Sequence, residues 1–387
     1  MSALTKLKER GYLERRRYEA LFFLILFGGF FGYLGHVMGV TNLLNTLMRT
    51  AHDLLMNTVF FIMGITVLTG ALGRLLIEFG VVRLLEVLLA PLMRPLFNLP
   101  GVSALAGLMT FFSDNPAIIS LSNDKNFSRY FKTHELISLT NFGTAFGMGL
   151  IVLAFMTGLG YFSGAMVGLA GAVIGAIIST RLMQRFIKGK IPADKEFKGN
   201  GNEEKISFES KGSTFQRFLN AMLDGGKSGV NLGLAIIPGV LVISTIIMVI
   251  TFKPADAAIG YQGLAYEGVP ILPKLAGSVS WLFEWMFGFE HPELIAFPVT
   301  SLGAVGAALS MVKAFIAQGM IGGNEIAVFT AMGMCWSGYL STHTAMLDTL
   351  NFRELTSKAL LAHTIGGLLA GISAHYLFVL LSSFGIV

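Results

Sequence analysis

One ten-residue segment occurs twice, once in each half of the chain. The stretch His134-Glu135-Leu136-Ile137-Ser138-Leu139-Thr140-Asn141-Phe142-Gly143 is echoed by Asn324-Glu325-Ile326-Ala327-Val328-Phe329-Thr330-Ala331-Met332-Gly333. Glu, Thr and Gly stay in register, with apolar residues between them. Each copy follows a Gly- and Pro-containing apolar stretch of similar length. Two half-chains on one plan, each with a broken apolar segment, restrict the possible folds severely. Interrupted helices persist at membrane depth only where the loosened backbone is buried in protein or lines a cavity. Such broken helices, repeated with opposite orientation, meet near the bilayer midplane in secondary transporters.

That reading requires a membrane chain, and the composition supplies one. Hydrophobic residues make up 53% of 387 and charged residues 13%, against roughly 25% charged in soluble domains. Mean hydropathy is +0.68. The expected fold class is an all-α polytopic membrane protein with two inverted-topology repeats, each containing a re-entrant helical hairpin. The net charge of +5 does not point to nucleic acid, because the basic residues sit in loops, as in cytoplasmic loops generally. The lone cysteine, Cys335, excludes an internal disulfide and a cysteine-cluster metal site. In its apolar run it reads as a packing residue. No GxSxG, HExxH or complete GxxxxGK[ST] loop occurs, so neither an enzyme nor an ATP-driven pump is expected.

Lys/Arg placement gives the expected course. Lys6, Lys8, Arg10, Arg15, Arg16 and Arg17 precede a first span at about 18–40, which puts the N-terminus in the cytoplasm of an inner (plasma) membrane. A loop at 41–52 suits the outside, and a second span at 54–79 returns. Residues 81–97 read as an interfacial helix bent at Pro91 and Pro95. A hairpin at about 99–127 and spans at 134–157 and 161–186 complete the first repeat, 54–187. The polar segment 188–214 is a cytoplasmic linker. The second repeat, 215–352, carries an amphipathic piece at 215–227, a span at 229–252, an outside loop from 253, an interfacial segment with Trp281 and Trp285, a hairpin at about 292–319 and a span at 324–345. Residues 1–53 and 353–387 hold the flanking spans, the last at about 359–384.

Candidate chemistry concentrates at the breaks. Thr110, Ser113, Asp114, Asn115 and Pro116 sit at the first hairpin. Asn before Pro is a good helix start, so Asp114 and Asn115 read either as caps of a half-helix or as a site at its positive end. An acidic residue at membrane depth costs about 2.5–3.5 kcal/mol and generally has a role, here Na⁺ binding or proton carriage. Thr300 and Ser301 mark the second hairpin. On span 324–345, Thr330, Ser337, Ser341 and Thr344 share one sector of an ideal helix, with His343 one position off. Helix–helix glue accounts for such a stripe as well as a binding face does. Thr133, Thr140 and Thr144 share a face of the matching first-half span beside Asn141, and Gly147 corresponds to Ser337. Glu135 and Glu325 occupy matching first-turn places and read as caps or as coupling-ion residues. Glu290-His291-Pro292-Glu293 has the wrong spacing for a helical metal motif, and no metal is expected.

The order of elements, Phe111-Phe112-Ser113-Asp114-Asn115-Pro116-Ala117 and the paired Glu-x₄-Thr-x₂-Gly segments resemble the gate or nucleoside-recognition superfamily over about 54–350. That group includes the membrane cores of concentrative nucleoside transporters. The resemblance implies a moving core that carries a solute past stationary spans. The expected function is transport of a small polar solute, nucleoside-like or other organic, coupled to Na⁺ or H⁺, with no other cofactor. The alternative is a non-transporting gate-type scaffold or assembly factor. The expected partners are the solute and the bilayer; a homo-oligomer is left open.

Overall fold

The computed structural model describes residues 3–191 and 212–387. Most of the expected linker 188–214 therefore lies outside the described residues, as do the side chains of Lys6, Lys8, Arg10 and Arg15. Among the described residues no strand forms; every long element is a helix. A backbone in lipid must satisfy its own N–H and C=O groups, and a helix does so within one segment.

In chain order, α1 (Ala3–Met38) turns at Gly39 into α2 (Val40–Asp53). A π-helical segment, Leu54–Val59, joins α2 to α3 (Phe60–Glu78). The expected loop 41–52 is thus helix: Asn42, Asn45, Thr46 and Thr50 are polar enough to resemble a loop but interrupt no hydrogen-bond ladder. Next come α4 (Val81–Phe97), α5 (Ser103–Phe112), α6 (Pro116–Asn123) and α7 (Lys125–Ser128). They lead to α8 (Thr133–Thr144), α9 (Gly149–Gly158) and α10 (Phe162–Ile187). The second half opens with α11 (Thr214–Ala235), which merges the expected amphipathic piece with the start of the expected span. A π-helical segment, Gly239–Ser244, and α12 (Thr245–Val249) follow. Then come α13 (Ile271–Gly277), α14 (Ser280–Phe287), a 3₁₀ turn at Pro292–Ile295, α15 (Ala296–Ser301) and α16 (Val305–Ala317). The chain ends with α17 (Gly323–Cys335), α18 (Tyr339–Thr349) and α19 (Thr356–Ser383).

Six stretches among the described residues are long and apolar enough to cross a membrane: Arg16–Met38, Val40–Glu78, Thr133–Gly158, Phe162–Ile187, Thr214–Val249 and Arg353–Ser383. This is a multi-pass all-α membrane protein. Residues Leu21 to Phe27 of α1 are exposed on every side, as suits a helix bathed in lipid. Trp281 and Trp285 are exposed on α14.

Small residues set the close helix contacts, which in lipid replace the hydrophobic drive between helices. At α3 and α11, a Cβ on Gly70 would strike the Gly225 carbonyl and one on Gly229 would strike Thr66. The Thr66 hydroxyl donates to the Gly229 carbonyl at 2.8 Å. A second cluster packs α10 against α17 and α19. A Cβ on Gly168 would meet Thr330 and Ala327, one on Gly171 Ala370, and one on Gly367 Trp336.

Candidate functional site

Each copy of the repeated segment is followed by a break, at matching places. Helix α8 ends at Thr144 and α9 begins at Gly149, with Met148 in the left-handed region at φ 54°. Helix α17 ends at Cys335 and α18 begins at Tyr339, with Gly338 at φ 66°. In the register that pairs Gly147 with Ser337, Met148 pairs with Gly338. Glycine adopts this conformation freely; methionine pays roughly 1–2 kcal/mol to do so. The expected continuous span 324–345 is therefore two helices, and the Thr330–Thr344 stripe does not run along one helix face.

The glutamates that open these segments cap them. Glu135 accepts the Lys132 N–H at 2.9 Å and pairs with Arg94. Glu325 accepts the Gly322 N–H at 2.7 Å and the Asn324 side chain at 3.0 Å. Each supplies the negative charge that a helix start favours.

The first expected hairpin region folds as α5 and α6 around a turn at Ser113–Asn115, and the second as α15 and α16 around a turn at Leu302–Ala304. Asn115 does not cap α6 with its side chain. Its amide instead donates to the Ser337 carbonyl at 3.1 Å, and its Nδ2 lies 3.4 Å from the Ser337 hydroxyl. A Cβ on Gly147 or on Gly338 would run into the Asn115 side chain. One buried amide thus wedges between the two helix breaks. Among the described residues its Oδ1 has no hydrogen-bond partner, and neither does Asp114 Oδ1. Buried polar atoms left this way are rare and call for an occupant or a role.

A cavity of about 380 Å³ opens at this point. Asp114 and Asn115 from the first hairpin and Gly303 to Ala307 from the second form two walls. Met148 from one break and Ser337, Gly338, Ser341 and Thr342 from the other form the floor. Leu232, Ile236 and Gly239 of the α11 region close it. The volume lies in the range of small-molecule sites, and the lining is apolar with a few convergent polar groups.

Of the sequence-derived candidates, the structure brings Asp114, Asn115, Ser337 and Ser341 to this cavity. Ser113 lines a neighbouring cavity of about 490 Å³ that shares Asp114. The others lie elsewhere. Asn141 donates to Ser179 at 3.0 Å and to the Ala359 carbonyl at 2.9 Å, tying α8 to α10 and α19. Thr144 bonds the Thr140 carbonyl at 2.7 Å and Ser301 the Phe297 carbonyl at 2.8 Å, each within its own helix. Thr300 is buried with its hydroxyl unpartnered, away from the lining. Thr344 is half-buried outside the lining. His343 turns inward: its Nδ1 meets the Tyr339 carbonyl at 2.6 Å and its ring lies 4.5 Å from that of His363. Cys335 is buried against Ala172, as its packing role requires. Glu293 pairs with Lys253 at 3.1 Å, and no group of three metal-ligating side chains occurs among the described residues. Sequence reasoning missed Met148, Thr342 and the α11 wall. A hydropathy reading cannot register a one-turn break inside an apolar run.

No family model matches the chain. A 74-residue stretch is 42% identical to the sporulation integral membrane protein YlbJ of Bacillus subtilis (strain 168), covering 18% of each chain. Solved structures of CNTnw, a concentrative nucleoside transporter, are similar over nearly the whole length. A double variant in an outward-facing state gives a TM-score of 0.55 at 15% identity, with 97% of this chain and 87% of that one covered. A variant in an intermediate state gives 0.52 at 13%, with 96% and 85% covered. CNTnw in an inward-facing, substrate-bound state gives 0.51 at 14%, with 95% and 86% covered. The chain has the fold of the concentrative nucleoside transporters. At these identities the likeness speaks to fold, and function is argued from the site.

Proposed function

We propose that this protein is a secondary transporter that carries a small polar solute through the cavity between the two hairpin turns. The observation that supports it is the convergence of four backbone interruptions on one 380 Å³ space: the two hairpin turns and the two helix breaks. Broken backbone is costly in a membrane unless it serves a cavity. In this reading the two halves are inverted repeats, 54–187 and 215–352, and both hairpins are re-entrant. The protein sits in the inner (plasma) membrane with its N-terminus in the cytoplasm. The α3–α11 pair stays still while the cluster around α10, α17 and α19 moves the hairpins past it.

Asp114 is the coupling residue, binding Na⁺ or a proton beside the solute. Asn115, Ser337 and Ser341 orient the solute, which is nucleoside-like or another organic molecule. Similarity to CNTnw in several transport states supports a fold built to move. The competing reading is a non-transporting gate-type scaffold, and the sporulation role in the name of YlbJ favours it. Melting temperatures of the purified protein with nucleosides, amino acids and carboxylates, with and without Na⁺, separate the two. Transport predicts a solute-dependent rise that Asp114→Asn abolishes. A rise unchanged in that variant would remove Asp114 from the site, and the absence of any rise would favour the scaffold.

A further inference from the structure

Arg74 lies four residues before the end of α3, inside a stretch apolar enough to span the membrane. Its stem is held in the α3–α11 seam, where a Cβ on Gly225 would touch it. The guanidinium has no hydrogen bond or ion pair among the described residues, and Arg74, an exposed residue, is one of those that line the 490 Å³ cavity. Ser113 and Asn231, also without side-chain partners among the described residues, line that cavity too. So does Asp114, which with Pro116, Leu232 and Ala235 also borders the 380 Å³ cavity. The two spaces therefore share the first hairpin turn.

Charged residues within membrane helices are rare, face the protein interior or a water-filled cavity, and are normally paired. An Arg near a helix end can reach past lipid to water. Arg74 is exposed and lines the same cavity as Ser113 and Asp114 of the hairpin turn. A guanidinium offers five N–H donors in a planar fork, accepts nothing, and matches a carboxylate or phosphate in two-point geometry.

Charge balance then restricts the solute. Among the described residues, Arg74 and Asp114 are the only basic and the only acidic residue lining the 490 Å³ cavity, so the charges of its lining balance. If Asp114 takes up Na⁺ or H⁺, as the transport reading holds, the loaded cavity keeps the Arg74 charge uncompensated. A neutral solute leaves that net positive charge in place, whereas an anionic solute is attracted to it and restores neutrality. We infer that the transported solute carries an anionic group, carboxylate or phosphate, which the Arg74 guanidinium receives. This inference rests on the transport reading with Asp114 as the coupling residue.

The test uses full-length protein in proteoliposomes and in detergent. The probes are succinate and uridine 5′-monophosphate, with succinamide and uridine as their neutral counterparts. The inference predicts that an anionic probe raises the melting temperature and is taken up while its neutral counterpart is not. Arg74→Gln weakens the anion by about tenfold or more, equivalent to about 1.4 kcal/mol, and Arg74→Lys weakens it less. Preference for succinate over the nucleotide identifies a carboxylate, and the reverse identifies a phosphate. Equal response to uridine or succinamide, or unchanged anion affinity in Arg74→Gln, overturns the inference. If Arg74→Gln does not fold, Arg74→Lys and the anion-to-neutral ratio of the native protein decide it. Asp114-dependent uptake of uridine alone would leave transport standing and remove only the anionic solute. No response to any probe would overturn both.

Discussion

The two helix breaks share a backbone and differ in chemistry. Around Gly147 and Met148 the break is apolar and buried, and a methionine carries the left-handed conformation. Around Gly338 the break is polar, with Ser337, Ser341 and Thr342 facing the cavity. Asn115 abuts both breaks but donates its hydrogen bond only to the second. The two breaks thus share the interruption, while their side chains differ. The polar floor belongs to the second half, and the first half supplies the hairpin turn that faces it.

Substitutions can break or sharpen this contrast. Gly338→Ala has the largest expected effect, because the site combines a positive φ with a Cβ that collides with Asn115 and Thr342. A loss of about 2–4 kcal/mol is expected in denaturant titrations. Gly147→Ala meets the same amide without the positive φ, and about 1–3 kcal/mol is expected. Equal losses at the two sites would mean that the left-handed residue contributes nothing to the difference.

Asn141→Ala removes the tie to Ser179 and Ala359 and is expected to cost about 1–2 kcal/mol while solute affinity stays unchanged. A change in affinity would return Asn141 to the binding site. Glu325→Ala removes a cap outside the cavity lining, with an expected loss of about 1 kcal/mol and no change in ion dependence of uptake. Ser341→Ala is the mildest for stability, since its hydroxyl is exposed and bonded only within its own turn. Its effect is expected in solute affinity alone.

Much of the architecture was legible because it follows from hydropathy and charge. The apolar helices near 18–40, 161–186 and 359–384 and the matching capping places of Glu135 and Glu325 are all visible in the residues. The breaks were not. Met148 is an ordinary apolar residue in an apolar run, and Ser337-Gly338 is common in continuous membrane helices, so nothing local announces a left-handed residue. The missed breaks then misled the assignment of faces. Thr344 and His343 were placed by counting 100° per residue across a gap where the helix does not continue. Asn141 was misleading for another reason. Helix α8 is enclosed by protein on nearly every side, so a polar residue on it can serve packing as readily as a cavity. Arg74 carried a readable signal, a lone cation inside an apolar span, that repeat-centred reasoning passed over.

Alternating access can be tested without knowing the solute. Cys335 is the only cysteine in the chain, so Cys335→Ala gives a background in which Ser341→Cys places one thiol in the cavity. The measurement is labelling of that thiol by a membrane-impermeant maleimide, applied to either face of sealed vesicles. The account predicts labelling from both faces, as the cavity opens to each side in turn. Labelling from one face alone under every ion condition would contradict it and leave a static scaffold.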